Sequence, residues 1–99
     1  MFDLGTYVII RSRDAGVFAG TLQEQSADGT VVLMAGCRRL WHWDGAATIS
    51  ELAVTGPKRP GKCKFPPSTP KHQVLGVCEV VPCSDVARKA IEGVPEWVA

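Results

Sequence analysis

The chain has 99 residues, 45% hydrophobic and 21% charged, which suffices for one domain with its own core (residues 1–99) and excludes a second. Lys+Arg 11 against Asp+Glu 10 leaves a net charge of +1, less than a dedicated duplex binder carries. No run approaches the roughly 18 apolar residues of a membrane span, and Met1–Gly5 offers neither the basic nor the apolar region of a signal peptide, so a soluble, cytoplasmic chain with no membrane partner is expected.

Thr6–Arg13 has the β-branched and aromatic content of a first strand, closed by the turn-compatible Asp14-Ala15-Gly16. Val17–Gln25 supplies its partner, with Gly20 marking a bulge, a bend or a close backbone approach. The Asp28-Gly29 dipeptide predicts a type I′ hairpin turn into a strand Thr30–Met34. Ala35-Gly36 then permits a tight reversal into a fourth strand, Cys37–Trp43, completing an antiparallel meander. Thr48 with Glu51 three residues on forms a capping box, and Ile49, Leu52 and Ala53 recur at helical spacing until Gly56-Pro57 stops the helix. Residues 56–71 hold five prolines and five basic side chains and read as a long connecting loop, either a basic rim over a site or a solvated crossover. His72–Val81 returns to strand composition until Pro82. A second helix is capped by Ser84 or Asp85, carries Val86, Ala87, Ala90 and Ile91 as its apolar stripe, and closes at Gly93. The tail Val94–Val98 offers an edge strand, with Trp97 packed on the body or on a second copy, so a homo-oligomer is expected. The predicted class is α+β: a small curved antiparallel sheet or partly open barrel with two short helices.

Arg38–Trp43 is the segment that points to function. As a strand it sends Arg39, Trp41 and Trp43 to one face and Arg38, Leu40 and His42 to the other. Guanidinium forks suit phosphate, and indole faces stack on bases, so an anionic, ring-containing ligand such as a nucleotide fits this pattern. The helix start at Ala47-Thr48 would add unpaired N–H groups for an anion. Nine of the eleven basic residues precede position 72, so Arg11, Arg13 and Lys64 are candidates for the same surface, with Phe18 as a further stacking ring. The opposing reading places the tryptophans in the core and the arginines in solvent, as in most small domains. Only His42 and His72 are available as near-neutral bases, and neither lies in a catalytic signature. Binding without catalysis is therefore expected, with no cofactor. Cys37, Cys63, Cys78 and Cys83 lack zinc-site spacing and read as reduced structural thiols.

The runs Tyr7–Arg11, Ala15–Gly20, Arg38–Ala46 and Ser50–Ala53, followed by Cys63-Lys64-Phe65-Pro66, resemble a family of short bacteriophage and prophage proteins. That resemblance implies a phage accessory protein acting in the infected bacterial cell. By wider analogy it implies an anti-defence sponge that sequesters a cyclic oligonucleotide or cyclic ADP-ribose signal. The strand order also faintly resembles Sm-like or other SH3-like barrels, which bind single-stranded nucleic acid or peptides; a module that blocks a host protein is the remaining class.

Overall fold

A computed structural model describes residues 2–99. Strand β1 (Tyr7–Ser12) pairs antiparallel with β2 (Gly16–Gln25), and β2 pairs with β3 (Val32–Arg39). Helix α1 (Ile49–Thr55) and a 3-10 turn at Pro60–Lys62 lead into β4 (Thr69–Val74), β5 (Val77–Pro82) and helix α2 (Asp85–Glu92). The five strands form one antiparallel sheet in the order β4-β3-β2-β1-β5. The architecture is α+β, an open curved sheet with two helices.

That order forces curvature. β4 and β5 sit at opposite edges, yet only Leu75-Gly76 separates them. Three Cα steps span at most roughly 11 Å, whereas five strands laid flat would put their outer members roughly 19 Å apart. The sheet must therefore coil until its edges approach at this corner, where Ser12 Oγ donates to Leu75 O and Val77 N–H donates to Thr30 O at 2.9 Å. Coiling gives the sheet an inside and an outside, and both are apolar. Val8, Ile10, Phe18, Leu22, Met34, Cys37 and Val74 fill the inside. Tyr7, Ile9, Ala19, Leu40, Leu52, Phe65 and Ile91 form a second core between the outside and the helices. Alternation along β1 serves both, which is why Tyr7-Val8-Ile9-Ile10 is a continuous apolar run.

Four sequence expectations are corrected. Ala35-Gly36 does not reverse the chain: β3 runs through it, with Gly36 at φ 54° as a bulge, so the two strands expected over Thr30–Met34 and Cys37–Trp43 are one. Gly20 lies opposite, where a Cβ would sit 3.0 Å from Ala35 O; the close approach is real and seats the bulge. Asp28 is not at positive φ, so the turn is not type I′. Instead Gly29 N–H donates to Ser26 O, and the Asp28 carboxylate accepts from Ser26 Oγ, Thr30 N and Thr30 Oγ1. His72–Val81 is not one strand but parts of β4 and β5, and β4 begins at Thr69, inside the stretch expected to be loop. The tail makes a single bridge, Phe65 to Glu96, rather than a strand.

Both helices are capped as expected: Thr48 Oγ1 accepts from Glu51 N, and Ser84 Oγ accepts from Ala87 N. Cys37 and Cys63 are buried, Cys83 is half-buried and Cys78 exposed, all as free thiols.

Candidate functional site

The two arginines that end β3 have opposite fates, because alternation sends them to opposite faces. Arg38 enters the outer core at 5% exposure. Its Nη1 donates to Ile91 O at 2.9 Å and Val94 O at 2.8 Å, its Nη2 to Phe65 O at 2.9 Å and its Nε to Pro66 O at 3.2 Å. A cation at the C-terminal end of α2 complements the helix dipole, and four carbonyls replace the water lost by burial. Burial pulls the Arg38 pKa down, and the neighbouring Tyr7 and Glu96 oppose that shift. Arg38 is thus a structural clamp joining β3, the Phe65-Pro66 segment and the end of α2, which corrects its assignment as a ligand contact.

Arg39 projects the other way. Its Nη1 donates to Ala15 O at 2.7 Å, and its guanidinium lies 4.4 Å from the centre of the Phe18 ring. It makes no ion pair among the described residues. Phe18 is fully buried beneath it, so this ring supports the arginine rather than a ligand.

After Arg39 the ladder ends, but the chain stays close to the β1–β2 turn because Leu40 N–H donates to Val17 O at 2.8 Å. The result is a cleft of about 320 Å³ lined by Ala15, Gly16, Val17, Arg39, Leu40, Trp41 and Trp43. The three residues assigned to one face of a strand are brought together here, although Trp41 and Trp43 lie beyond β3. Trp43 is a fixed wall, half-buried, its Nε1 donating to Ala46 O at 3.2 Å. Trp41 is 64% exposed. The lining offers one cation and two indoles and no carboxylate, imidazole, thiol or hydroxyl side chain.

A second cleft, of about 490 Å³, opens beside Trp43 and is lined by Asp44, Gly45, Ala46, Ala47, Glu51, Lys58 and Arg59. Here the helix start is already occupied. Glu51 Oε1 accepts from Ala47 N at 2.6 Å, and Glu51 N donates to Thr48 Oγ1. The Ala47 N–H and then Lys58 hold the Glu51 carboxyl below the usual range. The Ala47 and Glu51 N–H groups are taken and a carboxylate already sits at the start of α1, so this end is less open to an outside anion than the sequence reading of Ala47 and Thr48 supposes. Lys58 pairs with Glu51 at 3.3 Å and Arg59 with Asp44.

The remaining predicted residues lie elsewhere. Arg11 pairs with Glu79 at 2.9 Å toward β5, Arg13 is exposed in the β1–β2 turn, and Lys64 Nζ lies 5.7 Å from the Trp97 ring centre. His42 is exposed and bridged through its backbone to Lys64. Sequence reasoning missed the Ala15-Gly16-Val17 wall. The signal was the small-residue turn itself, but its position follows only from the Phe18–Arg39 pairing of β2 and β3.

The chain belongs to the family described as domain of unknown function DUF6948, whose model matches residues 5–91. The match includes every strand, both clefts and all of α2 except Glu92. No curated protein and no solved structure matches the chain.

Proposed function

We propose that this DUF6948 member is a binding protein that holds a phosphate-bearing, ring-containing ligand of the nucleotide class in the Arg39–Trp41–Trp43 cleft and does not cleave it. The observation that carries the reading is the fixed Arg39 guanidinium, without an ion pair among the described residues, in one cleft with two indoles. Its planar fork is anchored at one nitrogen by Ala15 O, which leaves Nε and Nη2 to face an anion, while the indoles supply stacking area. Binding without cleavage is supported by a lining that has no acid, base or nucleophile side chain. In biological form, the proposal is a phage accessory protein that sequesters a nucleotide-derived immune signal in the cytoplasm of the infected cell, working as a homo-oligomer.

Titration of cyclic di- and trinucleotides into the purified protein, followed by tryptophan fluorescence and calorimetry, tests this reading. Saturable binding with intact ligand recovered after denaturation is the expected outcome; hydrolysed ligand would make the protein an enzyme.

The coiled five-stranded sheet and the exposed Trp41 favour a second reading, a single-stranded nucleic-acid module. Affinity that rises with oligonucleotide length and falls steeply with salt would select it.

A further inference from the structure

Resting on the nucleotide reading, we infer that the Arg39–Trp41–Trp43 cleft does not read the base: it takes purine nucleotides as a class, through one phosphate contact and ring stacking, whatever groups the base edge carries. Telling adenine from guanine requires donors and acceptors aimed at the edge of the base, which amide, carboxylate, hydroxyl and cationic side chains supply. Apart from Arg39 and the two indoles, the side chains of this lining are aliphatic or absent. The carboxylates of Asp44 and Glu51 line the neighbouring cleft and not this one.

The polar groups that could stand in for such side chains are engaged within the protein. Trp43 Nε1 donates to Ala46 O at 3.2 Å, Ala15 N to Ser12 Oγ at 3.2 Å and Leu40 N to Val17 O at 2.8 Å, and Ala15 O accepts from Arg39 Nη1. Arg39 keeps Nε and Nη2. That fork matches either a phosphate or the O6 and N7 of guanine, but not both at once. Because Arg39 is the sole charged residue of the lining, the phosphate takes it and the base is left without a cation. Trp41 is 64% exposed, so water competes for any hydrogen bond its indole N–H offers, and a bond exchanged with water discriminates weakly. What remains for the base is ring area. Every base has a face that stacks on an indole, and a purine covers more of it than a pyrimidine does. Signals that differ only in which purine they carry are therefore held alike.

The test is a calorimetric comparison of AMP, GMP, inosine monophosphate and UMP on the wild-type protein, with the cyclic dinucleotides of adenosine and of guanosine as a second series. The three purine monophosphates are expected to bind within about threefold of one another, and so are the two cyclic dinucleotides, whereas one bidentate contact to a base edge would spread them by roughly fivefold to a hundredfold. UMP should bind about threefold or more weakly than the purines. Trp41→Phe, which keeps a ring and removes the indole N–H at an exposed position, should move all four monophosphates by one common factor. A preference of about tenfold or more for one purine would overturn the inference while leaving the nucleotide reading intact. So would a Trp41→Phe variant that reorders the purines, or UMP binding as tightly as they do. Binding by none of the six ligands would overturn both.

Discussion

At the residue scale two adjacent arginines take opposite places, Arg38 in the core and Arg39 in the cleft proposed to hold the ligand, and their substitution should have opposite effects. Arg39→Ala removes a charge-assisted contact at an open cleft, and a loss of about 1.5–3 kcal/mol, roughly tenfold to a hundredfold in affinity, is expected with little change in melting temperature. Arg38→Ala does the reverse. Phe65 O keeps the Trp97 N–H and Ile91 O the Val94 N–H, but Pro66 O and Val94 O are left without a donor among the described residues, and at about 1 kcal/mol or more for each such acceptor the fold should lose about 2 kcal/mol or more. Urea unfolding of the two variants checks both statements, and equal destabilisation would show that the division between them is wrong. The thiols give a pH prediction. Burial pushes Cys37 up to about 12 and Cys83 up to about 11, from an ordinary value of 9.0. A raised pKa in the folded state means that the unfolded chain ionises first, so this contribution to stability is fully present below pH 9 and is lost as pH rises through 11 and 12. Melting temperature should fall above pH 9, and Cys37→Ala should flatten that slope.

Among the elements, the segment Asp44–Ala46 does most to shape the site. It fixes Trp43, the wall shared by the two clefts, through the Nε1–Ala46 bond and itself lines the second cleft. Gly45 has φ 93°, and a Cβ there would lie 2.5 Å from Lys58 N and 2.8 Å from Arg59 N. Gly45→Ala should therefore cost about 1–3 kcal/mol and weaken ligand binding, because both backbone strain and a backbone clash must be relieved. Calorimetric unfolding that matches the wild type would show the turn to be adaptable. Much of this level was legible. β1, β2, both helix caps and the grouping of Arg39 with Trp41 and Trp43 follow from composition and local chemistry. The continuity of β3 did not, because Ala-Gly is compatible with a turn or a bulge, and only the approach of Gly20 from β2 decides between them. The break at Leu75-Gly76 was hidden for a similar reason: each half of the run has strand composition, and what divides it is that the halves belong to opposite edges of a coiled sheet. Arg38 was misassigned because its four carbonyl partners come from segments 27 to 56 residues away.

For the whole molecule, coiling places a second apolar layer outside the sheet, so the sheet's two faces are both committed to core, and the Arg39–Trp41–Trp43 cleft opens at the rim where the β1–β2 turn meets the segment after β3. No described helix is long and apolar enough to cross a membrane. The tail beyond α2 lies largely outside this economy of packing: Trp97 is 44% exposed and Val98 65%. If these residues join copies, deleting residues 97–99 should convert an oligomer to a monomer of about 10 kDa in light scattering without unfolding it, since Val94 and its bond to Arg38 are kept. An unchanged assembly would place the contact elsewhere. The central claim concerns the cleft, and its most direct test is a calorimetric titration of a cyclic dinucleotide into wild-type protein and Arg39→Ala side by side. Saturable binding by the wild type, weakened roughly tenfold to a hundredfold in a variant that melts at the same temperature, is the predicted result; equal affinity in the two proteins, or no binding to the folded wild type, would contradict it.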